Sequence, residues 1–236
     1  MVEQIVNESS ADGDTVIDVI DVRKSYQIGG MEIPILNGID LTVRSGEFLA
    51  IMGPSGSGKS TLMNMIGCLD RPTGGHVILE GKDINKISDN ELTHLRGQEI
   101  GFIFQTFNLI PRMTAIQNVE LPTFANKKNS TNYHERAKEL LKLVGLEDRM
   151  DHKTTELSGG QCQRVAIARS LINNPRLILA DEPTGNLDSK TTSEIMKIFS
   201  DLHKQGRTFV MITHDPEIAE FADRLVLVKD GLIENN

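Results

Sequence analysis

An octapeptide in the first quarter of the chain combines glycines, a lysine and a serine at the spacing of a phosphate-binding loop. Its residues are Gly53, Pro54, Ser55, Gly56, Ser57, Gly58, Lys59 and Ser60. The order matches the pattern G-x-x-x-x-G-K-[ST]. Glycines let successive backbone N–H groups point at phosphate oxygens without a Cβ in the way. Lys59 can reach the β- and γ-phosphates and Ser60 can ligate Mg²⁺, so the loop predicts nucleoside triphosphate binding.

The segments on either side of this loop have the character that the motif requires. Residues 47–52 are an apolar run typical of a buried strand, and residues 60–68 contain no proline and predict a helix. An ordinary glycine-rich turn is the alternative interpretation, and the strand–loop–helix context disfavours it.

A second apolar run, at residues 177–182, ends in Asp181 and Glu182. A carboxylate at the C-terminal end of a parallel strand beside a phosphate loop lies where Mg²⁺ needs an oxygen ligand, and Asp181 fits that role. Glu182 points elsewhere and could orient or deprotonate an attacking water. Taken alone, the two acids could equally be solvated side chains at a turn before Pro183, but the phosphate loop favours the magnesium interpretation.

A third motif, Leu157-Ser158-Gly159-Gly160-Gln161, predicts the start of a helix that continues over residues 163–171. Ser158 suits the N-cap position, and the two glycines expose backbone N–H groups at the positive end of the helix dipole. The motif is therefore a second candidate anion site. One nucleotide does not need two phosphate sites from one chain, so the simplest interpretation is that this one serves the nucleotide of another subunit.

With these motifs in this order, the chain resembles the ATP-binding cassette (ABC) family over nearly its whole length. Tyr26 stands where that family stacks an aromatic ring on adenine. Gln105 in Phe104-Gln105-Thr106-Phe107 matches the Q-loop, Asp188 lies in the D-loop, and His214 matches the switch histidine. Tyr26, Gln105 or His214 alone would more often be structural, and it is the ordered set that carries the resemblance.

The resemblance implies a fold, a set of ligands and a set of roles. The fold is α/β, a P-loop NTPase (RecA-like) core with an N-terminal antiparallel β subdomain and an inserted α-helical subdomain at about 106–160, in an ABC domain over 16–236. The implied catalytic residues are Glu182, His214 and Gln105, and the implied metal ligands are Ser60, Gln105 and Asp181. The implied nucleotide contacts are residues 53–60 with Tyr26, Thr61, Ser158, Gly159, Gly160, Gln161 and Asp188.

The implied cofactors are ATP and Mg²⁺, and the implied partners are a second copy of the chain and an integral membrane permease. Two copies would face each other head to tail around two Mg-ATP. Residues 65–75, 107–111 and 118–122 are similar to the lipoprotein-release, macrolide-export and cell-division branch (LolD/MacB/FtsE-type). Cys162 and Gln117 depart from that branch at positions that are not catalytic. The expected role is a transport ATPase on the cytoplasmic face of the membrane, and the alternative is a mechanical ATPase that moves no cargo.

Composition supports one large α/β domain and argues against nucleic acid as a partner. The chain has 236 residues, is 39% hydrophobic and carries a formal net charge of −8 at pH 7. An acidic chain does not favour DNA, RNA or an anionic lipid surface. A soluble ABC ATPase acting on DNA or ribosomes would need a long coiled-coil insertion or a second cassette, and the sequence has neither. No apolar run approaches the length of a membrane span, and residues 1–15 are expected to be a disordered acidic tail.

Further elements are predicted from periodicity and from turn residues. Strands are expected at 16–24, 39–43, 76–80, 207–213 and 225–229, turns at Gly29-Gly30 and Asp230-Gly231, and an amphipathic helix at 135–144.

Two expectations concern local surfaces. Cys162 lies in the first turn of the helix after Ser158, where the helix dipole could lower the pKa of the thiol, with plain burial as the alternative. Neither Cys68 nor Cys162 has metal-binding spacing, so both are expected to be reduced thiols. After Gln105, an apolar cluster is expected to be either core or a groove for a short cytoplasmic helix of the partner. The cluster comprises Phe107, Leu109, Ile110, Pro111 and Met113.

Overall fold

The computed structural model describes residues 14–125 and 132–234, which form two β-sheets with helices packed around them. The smaller sheet has four antiparallel strands in the order β2-β1-β4-β5. Its strands are β1 (Thr15–Ile28), β2 (Met31–Arg44), β4 (Gly74–Leu79) and β5 (Lys82–Asp83). Gly29 and Gly30 have φ angles of 59° and 82° and close the β1–β2 hairpin, as predicted.

The larger sheet has six strands in the order β10-β9-β3-β8-β7-β6. Its strands are β3 (Phe48–Met52), β6 (Ile100–Phe104), β7 (Leu177–Asp181), β8 (Thr208–Ile212), β9 (Arg224–Lys229) and β10 (Leu232–Glu234). Neighbouring strands from β9 to β6 run parallel, and β10 pairs with β9 antiparallel. The parallel strands are nearly continuous apolar runs because helices or the smaller sheet cover both faces.

Seven α-helices and three short 3₁₀ segments lie in the described residues. The α-helices are α1 (Lys59–Ile66), α2 (Asp89–Glu99), α3 (Ala115–Glu120), α4 (Tyr133–Leu143), α5 (Gly159–Leu171), α6 (Ser189–Lys204) and α7 (Pro216–Ala219). The 3₁₀ segments are Leu121–Ala125, Glu147–Arg149 and Thr154–Glu156. Helices α3, α4 and α5 pack on one another. None of the helices in the described part of the chain is long and apolar enough to cross a bilayer.

The core has two parts, one on each face of the larger sheet. Leu49 and Ile51 point to the side shared with α1 and the smaller sheet. Phe48 points to the side shared with the helices, where it contacts Phe209 with ring centroids 5.1 Å apart. This alternation fixes the register of β3, because a slip by one residue would exchange the two faces.

The predicted elements are present, with shifted ends. The strands predicted at 47–52, 177–182, 207–213 and 225–229 correspond to β3, β7, β8 and β9, and the helix predicted at 135–144 corresponds to α4. The helix predicted at 60–68 is α1, which ends at Ile66. The helix predicted to start at the Ser158 motif and to continue over 163–171 is α5, which begins directly after Ser158 and ends at Leu171 as expected. Strands β1 and β2 are longer than predicted. Residues 1–13 of the expected tail lie outside the described residues.

Candidate functional site

The parallel strands place the predicted chemistry along one edge of the larger sheet. Ile51 pairs with Ile212, Ile212 with Asp181 and Asp181 with Phe104, so β3, β8, β7 and β6 end side by side. The residues that follow these strand ends are Gly53, His214, Glu182 and Gln105. The carboxyl edge of a parallel sheet is where α/β folds bind their ligands.

A cleft of about 530 Å³ opens at this edge. Its lining includes most of the predicted loop together with the two acids and the histidine. The lining residues are Ile35, Gly53, Ser55, Gly56, Gly58, Lys59, Ser60, Thr61, Asp181, Glu182, Ile212 and His214. Tyr26 and Gln105 lie outside this lining.

The loop is shaped by glycines at positions that a side chain could not occupy. Gly53 has a φ of +151°, and a Cβ there would lie 1.9 Å from the carbonyl oxygen of Val228. Gly58 has a φ of +102° and precedes α1 without a side-chain cap, so the first backbone N–H groups of the helix are left for a ligand. The Lys59 ammonium donates to the carbonyl oxygens of Gly53 and Pro54, at 2.9 and 2.8 Å.

The two adjacent acids lie in different environments. Burial raises the pKa of Asp181, the neighbouring Glu182 charge raises it further, and the Lys59 ammonium opposes both. Glu182 has a φ of 44°, an unusual conformation for a non-glycine residue, and its carboxylate lies 3.1 Å from Nδ1 of His214. The buried Ser57 hydroxyl in the same loop has no hydrogen-bond partner among the described residues.

Gln105 lies close to Glu182, and a glycine makes this approach possible. A Cβ on Gly185 would lie 2.7 Å from Nε2 of Gln105 and 3.4 Å from Oε2 of Glu182. The backbone oxygen of Gln105 also accepts a hydrogen bond from the side chain of Asn186, at 3.1 Å. The Q-loop candidate and the segment after Glu182 are therefore packed against each other.

Tyr26 lies on β1, near the loop but beside the cleft. Its hydroxyl donates to Asp70 at 3.2 Å, and the Lys24 ammonium lies 5.0 Å from the centre of its ring. Burial raises the pKa of Tyr26, and the Asp70 charge adds to that increase.

The Ser158 motif begins α5 as predicted and lies away from the cleft. Ser158 and Gln161 form a reciprocal capping box, in which each side chain accepts a hydrogen bond from the backbone N–H of the other. Ser158 and Gly159 are exposed, whereas Gly160 is buried against α6. A Cβ on Gly160 would lie 2.3 Å from Cγ2 of Thr191, so only glycine allows this helix contact. These residues do not line the cleft.

Asp188 caps the next helix, α6. Its carboxylate accepts hydrogen bonds from the backbone N–H of Thr191 at 2.9 Å and from the Thr191 hydroxyl at 2.7 Å. The hydrogen bond from the Thr191 side chain is the main reason that the pKa of Asp188 is lowered. The side chain is exposed, and its contacts in this structure are those of a helix cap.

Two residues on α5 contact the site and were not identified from the sequence. Gln163 is fully buried and donates from Nε2 to the carbonyl oxygen of Pro183 at 2.6 Å. The Arg169 guanidinium donates to the backbone oxygens of Phe107 and Asn108. Both of those loop residues have positive φ angles, 58° and 49°. The stretch that follows the two glycines, from Gln161 to Leu171, gives no signal for such long-range contacts.

The expectation that the helix dipole lowers the pKa of Cys162 is wrong. Burial raises the pKa of this thiol, and its side chain is only 9% exposed. The sulfur lies 3.5 Å from the Thr154 carbonyl oxygen, under the start of α5. Desolvation therefore outweighs any dipole effect. Cys68 is fully buried, and burial raises its pKa to about 12.

The apolar cluster after Gln105 does not line a single groove. Leu109 packs against the helix-side core, while Ile110 and Pro111 are exposed. A groove of about 360 Å³ lies next to the cluster instead. Its lining comprises Arg96, Gly97, Ile100, Gly101, Phe102, Phe104, Asn108, Pro122, Arg169, Ser170, Ile172 and Asn173.

Comparison with known proteins agrees with the resemblance to the ABC family that the motifs indicate. A family model for the ABC transporter matches residues 36–185. The protein YvrO of Bacillus subtilis, described as an uncharacterised ABC transporter ATP-binding protein, is 59% identical over 211 residues, which are 89% of this chain and 92% of the relative. A macrolide export ATP-binding/permease protein of Bdellovibrio bacteriovorus is 52% identical over 94% of this chain, which spans 34% of that longer relative.

Solved structures similar to this chain are also ATP-binding cassettes. The ATP-binding cassette MJ0796, in a dimeric post-hydrolysis state bound to ADP and Pi, superposes with a TM-score of 0.85. It is 47% identical to this chain, and the match covers 93% of this chain and 97% of that one. The chain belongs to the ABC transporter family. Within that family it is an ATP-binding and ATP-hydrolysing subunit.

Proposed function

We propose that two copies of this chain close head to tail around two Mg-ATP and hydrolyse them to drive a separate membrane permease. The observation that carries the proposal is the separation of the two anion-binding motifs. The cleft is lined by the phosphate loop, Asp181, Glu182 and His214, whereas Ser158 starts α5 outside that lining. A nucleotide in the cleft therefore needs a second copy to meet the Ser158 motif. The dimeric state of the MJ0796 cassette supports this arrangement.

The predicted nucleotide contacts divide between the two copies. In one copy, Lys59 and the loop amides hold the phosphates while the Tyr26 ring stacks on adenine. In the other copy, the exposed start of α5 closes over the γ-phosphate, and Asp188 approaches from the D-loop. Residues 53–61 and Tyr26 form the first group, and Ser158, Gly159, Gly160, Gln161 and Asp188 form the second.

The residues that would hold Mg²⁺ are Ser60 and Asp181, which both line the cleft, with Gln105 from outside that lining. A hydroxyl, a carboxylate and an amide oxygen are hard ligands of the kind that Mg²⁺ prefers. Among the described residues, no three His, Cys, Asp or Glu side chains cluster as a metal site. The proposed ion takes its remaining ligands from phosphate and water. When bound, the ion neutralises charge on the transferring phosphoryl group.

Hydrolysis is assigned to Glu182, with His214 and Gln105 beside it. Glu182 orients the attacking water and accepts its proton. His214 holds the Glu182 carboxylate through the 3.1 Å contact and can also contact the γ-phosphate. Preorganised donors around the γ-phosphate stabilise charge as it develops, which is the main catalytic device in such sites.

The permease is proposed to dock at the groove beside Gln105, on the cytoplasmic face of the membrane. Phe102 and Phe104 stack in this groove with ring centroids 5.7 Å apart, and Gln105 follows directly. A short amphipathic helix with apolar anchors is the kind of partner that such a groove accepts. The likeness to macrolide export proteins favours an exporter over a mechanical ATPase of the cell-division type.

Substitution of Glu182 by Gln tests the assignment of hydrolysis. The variant should bind ATP as the wild type does and hydrolyse it about two to three orders of magnitude more slowly, the scale for losing a positioned base. Glu139→Gln, at an exposed position on α4, is the matched control and should keep the wild-type rate. Steady-state phosphate release and nucleotide titration measure both quantities. Wild-type turnover by Glu182→Gln would reject the assignment.

A further inference from the structure

An ion pair formed by a buried lysine and a partly exposed aspartate lies directly behind Tyr26. The Lys24 side chain is 9% exposed, the Asp70 side chain is 36% exposed, and the Lys24 ammonium lies 2.7 Å from the Asp70 carboxylate. The same carboxylate accepts the Tyr26 hydroxyl at 3.2 Å and the backbone N–H of Arg71 at 2.7 Å. Lys24 also donates to the Arg71 carbonyl oxygen at 2.8 Å. Both charges are therefore paired and hydrogen bonded, which the buried Lys24 ammonium in particular requires.

The pair restricts the tyrosine ring as well as its hydroxyl. The Lys24 ammonium lies over the ring, 5.0 Å from its centre, where a cation is attracted to the aromatic face. Because Lys24 covers one face, a planar ligand can stack only on the opposite face. The hydrogen bond to Asp70 also limits rotation of the Tyr26 side chain, because its hydroxyl must stay close to the loop after α1.

Asp70 itself is held in a fixed place. It lies four residues after Ile66, the last residue of α1, whose first turn carries Ser60 and Thr61. The next residue, Arg71, donates from its guanidinium to the carbonyl oxygens of Ile84 and Ile87 and pairs with Asp89. The loop after α1 is thus tied to the segment between β5 and α2, and through Lys24 it is also tied to β1. Because Tyr26 is hydrogen bonded to the same loop, these contacts restrict where its ring can lie.

We propose that Lys24 and Asp70 are positioning residues that fix the Tyr26 ring for the nucleobase. The proposal rests on the proposed stacking of adenine on Tyr26. It adds that part of the base-dependent affinity depends on the paired charges behind the ring, which are not among the proposed phosphate-binding or catalytic residues. A ring held in one orientation loses less conformational freedom when the base stacks on it.

The test compares two ligands that differ in whether they carry a base. Affinities of the whole chain are measured for ATP and for inorganic tripolyphosphate, both with Mg²⁺, by isothermal titration. Asp70→Ala removes the acceptor, and Tyr26→Phe keeps the ring and removes only the hydroxyl. Asp89→Ala is the matched control, since Asp89 contacts Arg71 but not Tyr26.

The proposal predicts a loss for ATP only. Removing a base-stacking aromatic ring costs roughly 5- to 150-fold in affinity, and a misplaced ring should cost part of that, about three- to tenfold. Asp70→Ala and Tyr26→Phe should show this loss for ATP with tripolyphosphate unchanged, and Asp89→Ala should change neither. A purely structural role of the pair would weaken both ligands together, and that result would overturn the proposal.

Tyr26→Ala separates this proposal from the one on which it rests. If Tyr26→Ala leaves the ratio of the ATP affinity to the tripolyphosphate affinity unchanged, the base does not stack on Tyr26 and both proposals fail. If Tyr26→Ala lowers the ratio while Tyr26→Phe and Asp70→Ala do not, stacking is retained and only the positioning role is rejected. Tyr26→Phe keeps the test valid if Asp70→Ala does not fold.

Discussion

Adjacent acidic residues in this site lie in different surroundings, which suits the different roles proposed for them. Asp181 and Glu182 are adjacent acids, yet Asp181 ends a buried strand while Glu182 turns away in a left-handed conformation toward His214. The raised pKa of Asp181 reflects a charge that is poorly compensated by the chain alone. A bound cation is the compensation that this arrangement favours.

The two cysteines test whether burial lowers the reactivity of a thiol in this protein. The pKa of each thiol is raised, so near neutral pH both are less ionised than a free cysteine, and raising the pH restores thiolate. Alkylation of the native protein at pH 8 should therefore be slow at Cys162 and slower still at Cys68. Mass spectrometry before and after unfolding in urea measures this. Labelling of Cys162 at the rate of a free thiol would contradict the burial account.

At the scale of elements, helix α5 connects the two loops that flank the catalytic edge. Gln163 bonds the carbonyl oxygen of Pro183, and Arg169, nearly two turns further on, bonds those of Phe107 and Asn108. The same helix begins at the Ser158 motif. A displacement of α5 must therefore move all three segments together.

Substituting Arg169 by Ala should uncouple α5 from the loop after Gln105. Two charge-assisted hydrogen bonds are lost and two carbonyls in strained backbone lose their donors, so we expect a destabilisation of about 2–4 kcal/mol. Urea denaturation measures the change. Lys197→Ala removes an exposed ion pair on α6 and should cost less than about 1 kcal/mol. Equal stability of the two variants would show that the Arg169 contacts carry no weight.

The sequence predicted those elements whose pattern is regular. Strands β3, β7, β8 and β9 are short apolar runs next to recognisable motifs. The prediction for β1 stops at residue 24, where a register shift between Lys24 and Ser25 interrupts the regular pairing with β2. The first half of β2 was missed because Pro34 and Gly38 read as breakers. Helix α2 was missed although Ser88 and Glu91 form a capping box that the sequence displays.

The candidate site, like the fold, could be predicted from the sequence only where its residues follow a recognisable pattern. Residues of the phosphate loop, Asp181 and Glu182 were identified from their sequence pattern, and His214 from the resemblance to the ABC family. The structure brings them to one cleft. Gln163, Arg169 and the Lys24–Asp70 pair could not be identified, because each acts through contacts with residues distant in the sequence. Spacing alone also misjudged Cys162, since the sequence shows its place on a helix but not its depth.

At the scale of the whole molecule, the proposed docking groove can be tested by charge. Phe104→Glu places a carboxylate among the apolar residues of the groove and should abolish co-purification with a tagged permease from the same gene cluster, while ATP binding is retained. Phe124→Glu is the matched control, because Phe124 is 72% exposed and lies outside the groove. A permease complex that survives Phe104→Glu would place the docking surface elsewhere.

A second copy of the chain is proposed to complete the catalytic site, and sedimentation of Glu182→Gln distinguishes this arrangement from a site that works within one copy. The variant should stay monomeric without nucleotide and shift to a dimer in saturating Mg-ATP, because closure no longer leads to cleavage. Adding Ser158→Glu to Glu182→Gln should prevent that shift without weakening ATP binding to the monomer. A Glu182→Gln protein that binds ATP yet remains monomeric at all nucleotide concentrations would contradict the account.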